Sequence, residues 1–402
     1  MKAASLFSGG GGMDIGFHHA GFEIVFANDI DPESCKTYEK NIGPIICCDI
    51  ADVKASDIPD CDVIFGGPPC QGFSIAGKMD PDDPRSQMIW EFLRVIKEKK
   101  PMMFVMENVA SLLQLEKFKD IRNKLIDGFT EAGYELECRV LNAKDYRVPQ
   151  SRKRTIIIGS LCGHINFPPI EKVVPTVRDA IGEMGEPGRK MNYGVCKAKI
   201  TVAKKPVLRS SPYAGMLFNG SGRPLDLDAP APTITASTGG NKTHIVDQNM
   251  LLDREAFDWV SDYHEKLQQG NTSKGVEVPD HLRRLTVAEC ACLQTFPYNF
   301  EFYGSQSSVY HQIGNAVPPQ LAWCIALAVQ KSLCEIKNLS TNFFWSNQIK
   351  VDFSLEEYIL YEFLMDAMRK EDCVNPQIDQ GALDEVMSWF DKGTSGHAEK
   401  SE

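Results

Sequence analysis

The sequence predicts an α/β protein: a Rossmann-like, open and mostly parallel sheet, a smaller loop-rich domain, and a helical C-terminal appendix. Three observations carry this. Short apolar runs alternate with amphipathic segments over the first 160 residues, the pattern of strands and helices taken in turn. Over residues 161–282 the texture shifts to Gly, Pro, Lys, Thr and Asn with few long apolar runs. Helical periodicity then returns at Thr286–Gln294 and Pro319–Ser332. The expected organisation is therefore a first part of the sheet domain at 1–160, a loop-rich domain at 161–282, a completing part at 283–335 and an extension at 336–402.

The strand-like runs are Ala3–Phe7, Glu23–Ala27, Asp62–Phe65, Met102–Met106 and Thr155–Ile158. Helical patterns lie between them, as at Met88–Lys99 and Phe118–Ala132. In the extension, Ser354-x-x-Glu357 has capping-box spacing before apolar Leu355, Ile359, Phe363 and Leu364. A second helix is expected at Ala382–Phe390, with Leu383, Val386, Met387 and Phe390 on one face.

The chain has 402 residues, 43% apolar and 24% charged, which excludes a fibrous or wholly disordered chain. The longest apolar run, Leu321 to Val329, has nine residues, about half a membrane helix. The N-terminal apolar run is too short for a signal peptide. Thirteen cysteines without an export signal, none spaced Cys-x2-Cys, and eight scattered histidines predict reduced thiols in the cytoplasm, no metal site and no membrane contact.

Net charge is −11, which taken alone opposes a nucleic-acid partner; its distribution does not. Residues 139–210 hold 15 Lys/Arg and 5 Asp/Glu, net +10. Residues 333–402 hold 6 Lys/Arg and 14 Asp/Glu, net −8. A basic middle and an acidic tail point to a local polyanion site.

The chemistry-bearing signals sit at strand ends. Phe7-Ser8-Gly9-Gly10-Gly11-Gly12 follows the first strand, and such a turn lets backbone approach a nucleotide closely. The dinucleotide pattern Gly-x-Gly-x-x-Gly fails in every register. The second strand ends at Asn28-Asp29-Ile30, an acid suited to ribose hydroxyls, and Cys48-Asp49-Ile50 offers a third strand-end acid suited to an adenine amino group. Gly67-Pro68-Pro69-Cys70-Gln71 is a proline-stiffened loop presenting a thiol. The adjacent Gly72-to-Met79 stretch nearly matches a phosphate-binding P-loop, but Met79 stands where Ser or Thr is needed. Glu107 in Met106-Glu107-Asn108-Val109 is a carboxyl that an apolar strand mouth would keep protonated near neutrality. Arg152 and Arg154, alternating before a strand, would face one side and hold phosphate or a carbonyl oxygen.

Taken in order with Arg284-Leu285-Thr286, Glu289, Gln294-Thr295-Phe296-Pro297 and Gln312-Ile313-Gly314-Asn315-Ala316-Val317-Pro318-Pro319, these motifs resemble the cytosine-C5 DNA methyltransferases, most of all the bacterial modification enzymes. The resemblance spans about residues 3–330. It implies S-adenosyl-L-methionine as methyl donor, held by Phe7, Gly9, Gly10, Gly12, Asp29, Ile30, Asp49, Ile50, Pro69, Asn315, Ala316 and Val317. The family usually has Glu where Asp29 stands, and Ala76 replaces a serine that some relatives use beside the flipped base. It implies Cys70 as nucleophile, Glu107 at the base, and Arg152 or Arg154 on the base carbonyl and flanking phosphate. Double-stranded DNA is the implied substrate and a restriction endonuclease the implied functional partner.

The proline-flanked stretch Ala229 to Thr243 resembles the recognition loop of those enzymes, with Thr235, Ser237, Thr238, Gly239, Gly240, Asn241 and Lys242 as base readers. Three rivals stand beside this reading. Amino-methyltransferases resemble an Asp/Asn-Pro-Pro-Tyr pattern and need no thiol. Transfer-RNA relatives have a smaller middle domain. A non-enzymatic scaffold has no use for Cys70, Glu107 and the two arginines.

Overall fold

The computed structural model describes residues 1–69 and 87–337. Cys70, Ala76, the P-loop-like stretch and both expected tail helices lie outside the described residues.

The first 160 residues build a seven-stranded sheet. Its strands include β1 (Lys2–Leu6), β2 (Glu23–Asp29), β3 (Ile46–Cys47), β4 (Val63–Gly66), β5 (Met103–Val109) and β6 (Glu135–Asn142). A two-residue strand β7 (Gln150–Ser151) precedes the seventh, β8 (Lys153–Ser160). The order is β3-β2-β1-β4-β5-β8-β6. All neighbours are parallel except that β8 runs antiparallel to both β5 and β6. Strand order reverses between β1 and β4, which opens a crevice at the carboxyl ends of those two strands. The reversed β8 delivers its first residues, Lys153 and Arg154, to that same edge.

Five strands follow the sequence expectation within a few residues; β6 departs from it. Leu136, Cys138 and Val140 alternate with Glu135, Glu137 and Arg139, so this edge strand has no continuous apolar run. Most of its residues remain partly or fully exposed, which matches that alternation.

Helices α1 (Gly12–His19), α2 (Pro32–Asn41), α3 (Met88–Lys99), α4 (Ser111–Gln114) and α5 (Lys119–Glu131) lie between these strands. On one face Phe92, Val95 and Ile96 of α3 and Leu125 and Phe129 of α5 pack on Phe104, Met106 and Ile157. In chain order α6 (Val177–Ile181), α7 (Gln248–Leu252), α8 (Trp259–Gln268), α9 (Val287–Leu293), α10 (Gln306–Asn315) and α11 (Pro319–Ile336) follow. The opposite face is closed by α1 together with α11, whose Leu321, Ile325, Val329 and Leu333 reach Phe17, Phe65 and Val105. Gly16 permits this contact: a Cβ there would lie 2.4 Å from the Trp323 nitrogen. The last helix thus completes a core begun by the first.

Between the two parts lie a ribbon of β9 (Val202–Val207) and β10 (Met216–Phe218), the short β11 (Ala231–Pro232), and the antiparallel pair β12 (Ile245–Asp247) and β13 (Leu282–Arg284). Leu217, Phe218, Ile245, Val260, Tyr263 and Leu282 form a separate cluster there. Strand β11 pairs in parallel with β7, tying this region to the sheet domain.

Asp14 in the first turn of α1 has no solvent exposure, and Tyr38 of α2 donates to its Oδ1 at 2.9 Å. Burial raises its carboxyl to about 7. The unfolded chain loses that proton near pH 4. Burying this carboxyl therefore costs the fold nothing extra below about pH 4, where both states are protonated, and stability drops as pH rises from there towards 7, by about 1.4 kcal/mol per unit at most. Asp14→Asn removes this slope. Urea unfolding at pH 5 and pH 8 should show the variant gaining on the wild type by a few kcal/mol. A difference that stays constant with pH would mean that Asp14 is ionised in the fold.

Candidate active site

The glycine loop turns on one strained residue and is tied by backbone bonds and a carboxylate. Phe7, directly after β1, has a left-handed backbone at φ 56°, a costly conformation for an aromatic residue that surrounding bonds must hold. The Ser8 amide donates to the Asn28 carbonyl at 2.9 Å, and the Gly11 amide to the Ser8 carbonyl at 2.9 Å. Asp29, at the end of β2, accepts the Gly9 amide on Oδ2 at 2.7 Å and the Asp31 amide on Oδ1 at 2.9 Å. Burial raises the Asp29 carboxyl, opposed by those backbone donors. The sequence reading reserved this carboxylate for a ligand; it also pins the loop. Gly9, at φ 55°, has nothing within 4 Å of where a Cβ would stand, so its α-carbon faces open space.

Beside it, Ile30 is 63% exposed, a large apolar side chain left uncovered at the crevice. Asp49 caps a short 3-10 turn by accepting from the Ala51 amide at 3.0 Å. Ile50 is 2% exposed and packs in the core, so its side chain stands behind the crevice and not on it.

The far end of the chain closes the loop's other side. A Cβ on Gly12 would lie 2.6 Å from the Val317 carbonyl oxygen and 3.0 Å from the Ala316 Cβ. Gly10 lies against Thr37 and Gln312, and the Thr37 hydroxyl donates to Gln312 Oε1 at 2.7 Å. Asn315 is exposed, its amide nitrogen 3.2 Å from the His311 ring.

Across the crevice, Gly66-Gly67-Pro68-Pro69 leaves β4, and Asn108 Nδ2 donates to the Pro68 carbonyl at 3.2 Å. Cys70 is the next residue. Glu107 on β5 is 8% exposed, and its Oε1 lies 2.8 Å from Arg154 Nε. The pairing register sets this: Val109 faces Arg154, so Glu107, two residues earlier, shares that face diagonally. Burial raises the Glu107 carboxyl, and the nearby Arg154 and Arg152 pull against it without prevailing.

The two arginines do not do one job. Arg152 falls in the break between β7 and β8 with no solvent exposure. It donates through Nη1 to the Ile234 carbonyl at 2.8 Å, and through Nη2 to those of Gly314 at 2.8 Å and Ala316 at 2.9 Å. It is turned inward because three carbonyls need its donors, while Arg154, in the strand proper, faces Glu107. No local spacing signals that difference; it depends on residues more than 80 positions away.

The expected base-reading loop folds as a turn. Thr238 is buried, with its amide on the Thr235 carbonyl and its hydroxyl accepting the Thr235 amide. Thr235 and Ser237 share a hydrogen bond between their hydroxyls. Gly239 (φ 135°) and Gly240 (φ 51°) use backbone that side chains resist. Ser237, Gly240, Asn241 and Lys242 are exposed. Arg284, which the sequence marks only as part of a motif and gives no role, is 2% exposed and donates to the Asn241 and Thr243 carbonyls. Its signal was the Arg-Leu-Thr motif, but not its contacts.

The family model for C-5 cytosine-specific DNA methylases matches residues 1–331. The type II methyltransferase M.MthTI of Methanothermobacter thermautotrophicus is 36% identical over 84% of the chain and 99% of its own length. M.FnuDI of Fusobacterium nucleatum is 34% identical over 83% and 96%. Among solved structures, the S. pombe Dnmt2 methyltransferase superposes with a TM-score of 0.58 at 21% identity, covering 82% of this chain and 98% of its own. The Entamoeba histolytica methyltransferase EhMeth gives a TM-score of 0.59 at 17% identity, covering 83% and 98%. The last two bear on the fold alone. Among the described residues no group of three metal-ligating side chains occurs, and no helix is long and apolar enough to cross a membrane.

Gly12 tests the meeting of the two chain ends. Its backbone is compatible with alanine, so Gly12→Ala is costly only if the Val317 corner sits where described. Denaturant unfolding should show a loss of about 1–3 kcal/mol, the scale of core overpacking. A neutral substitution would remove that corner from the loop.

Proposed function

The chain belongs to the C-5 cytosine-specific DNA methylase family, and from that premise we propose that it transfers a methyl group from S-adenosyl-L-methionine to C5 of a cytosine flipped out of a short, specific duplex sequence. The observation that carries the proposal is the buried Glu107–Arg154 pair one strand from Pro68-Pro69, on the same sheet edge as the glycine loop.

The donor's site fits the residues present. Gly9 leaves open space, Asp29 offers its remaining lone pairs to hydroxyls, Ile30 offers an apolar face, and Asp49 lies at the adjoining strand end. Phe7, Gly10, Gly12, Pro69 and Asn315 to Val317 are the residues proposed to complete this site. When bound, the donor supplies an electrophilic methyl group on a sulfonium.

The chain's residues make cytosine able to accept it. C5 of cytosine is too weak a nucleophile alone. The Cys70 thiolate adds to C6, forming a C6–S bond and leaving an enamine whose C5 is nucleophilic. Glu107, which burial keeps protonated further towards neutrality, gives or shares a proton at N3 as the thiolate adds. Arg154 holds the base carbonyl and limits how far the Glu107 carboxyl rises. Arg152 acts through the backbone it clasps. After methylation the C5 proton leaves and the C6–S bond breaks, regenerating Cys70.

Residues 161–282 are proposed to choose the target, with the exposed Ser237, Asn241 and Lys242 at base edges and Thr235, Thr238, Gly239 and Gly240 shaping the turn. The type II relatives support a role in protecting host DNA, with a restriction endonuclease of matching specificity as functional partner.

A duplex carrying 5-fluorocytosine at the target should trap the wild type covalently, because fluorine cannot leave as the proton does. Cys70→Ser should form no adduct and transfer no methyl group, yet bind the donor with nearly wild-type affinity in calorimetry. Labelling should appear on duplex DNA and not on transfer RNA. Turnover by the serine variant, or no adduct with the wild type, would sink the thiolate mechanism.

A further inference from the structure

Within a chain of net charge −11, residues 187–225 contain eight Lys/Arg and no Asp or Glu. All eight, Arg189 through Arg223, are exposed. Among the described residues none of them is paired with an acid, although acids are in excess elsewhere. Eight like charges on one unbroken stretch repel one another, a cost that a polyanionic partner removes.

The place of four of these lysines in the fold says which partner. Arg284 donates from Nε to the Ala198 carbonyl at 3.3 Å and from Nη1 to the Asn241 carbonyl at 3.2 Å. One buried guanidinium therefore ties the residue between Lys197 and Lys199 to the exposed turn that carries Asn241 and Lys242. Asn219 repeats the tie, its Nδ2 donating to the Lys199 carbonyl at 2.9 Å and its Oδ1 accepting the Thr201 amide at 3.0 Å. From Thr201 the chain runs straight into β9, where Lys204 and Lys205 are both exposed. Lys197 to Lys205 is a basic track that starts at the proposed base-reading turn, and among the described residues none of its four lysines is paired with an acid. An extended chain of this length reaches at most roughly 25–30 Å, enough for several phosphates of a duplex.

We propose that Lys197, Lys199, Lys204 and Lys205 form a phosphate rail that binds the DNA backbone beside the target, supplying affinity without choosing sequence. The inference rests on duplex DNA being the substrate, as proposed above, and it separates two functions: the turn at Ser237–Lys242 reads, and the rail holds. Phosphate contacts set register and orientation but carry no sequence information.

The test uses the full chain and a duplex of random sequence, with binding measured across a salt series. Each phosphate contact contributes about 0.9 to the slope of log K against log salt. Lys197→Ala/Lys199→Ala and Lys204→Ala/Lys205→Ala should each flatten the slope by roughly 1–2 and weaken binding at low salt. Bisulfite sequencing should find the methylated sequence unchanged. Lys204→Arg/Lys205→Arg should restore the slope, and Lys124→Ala, an exposed lysine on α5, should leave it alone. Wild-type slope in both double alanine variants overturns the rail. A changed methylation pattern overturns the separation of holding from reading. Altered melting or hydrodynamic radius at an unchanged slope would show that the lysines serve the fold and not DNA, and would likewise overturn the rail. Failure of the wild type to methylate any duplex would count against the proposed reaction and not against the rail.

Discussion

The guanidinium of Arg152, sealed from solvent, donates to the carbonyls of Ile234, Gly314 and Ala316, and the rest of the site depends on that clasp. It joins the strand that brings Arg154 to Glu107, the turn that leads into the exposed Ser237–Lys242 surface, and the corner seated on Gly12. Each buried carbonyl deprived of its donor would cost about 1–3 kcal/mol, so the three are held together as a set. A second polar knot lies beside it. Gln150 donates to Gln294 and accepts the Ile234 amide, while Gln294 donates to the Ile313 carbonyl. Gly314 is obligatory for the same reason: a Cβ there would lie 2.2 Å from the Thr235 carbonyl oxygen.

Around this clasp the sheet edge divides charge by depth. Asp29 is spent partly on backbone amides and ties the glycine loop. Glu107 is buried against a single close guanidinium, so desolvation pulls its carboxyl one way and Arg154 the other. A carboxyl poised in that way can hold a proton or release it as charge beside it changes, which is what the proposed addition to cytosine requires. The antiparallel direction of β8 makes the pairing possible, because a parallel strand would deliver Arg154 to the opposite edge of the sheet.

Much of this was legible in the residues, for identifiable reasons. Alternating strand and helix patterns predicted the open sheet. Helix α3 was bounded at Met88 and Lys99 as observed, since its apolar face is strictly periodic. Strand-end motifs pointed to the crevice because parallel sheets gather such ends on one edge. What escaped is long-range or half-exposed. The edge strand β6 carries alternation and no apolar run. Arg152 and Arg154 look equivalent in sequence, and only carbonyls more than 80 residues away separate their roles. Asp14, in the loop's own helix, gives no local sign that it will be sealed beneath Tyr38. The position of Asp29 at a strand end points to a ligand group, and nothing local in the sequence shows that it accepts the Gly9 and Asp31 amides.

Amide hydrogen exchange on Arg152→Lys tests the clasp most directly, since lysine keeps the charge but cannot span three carbonyls in a fixed fork. Exchange should quicken together at Ile234–Thr238 and at Gly314–Val317, while the amides of β1, β4 and β5 keep their protection. Quickening confined to one of those segments, or spread evenly over the sheet, would contradict the account of Arg152 as the joint that holds the Ile234 turn to the Gly314–Ala316 corner.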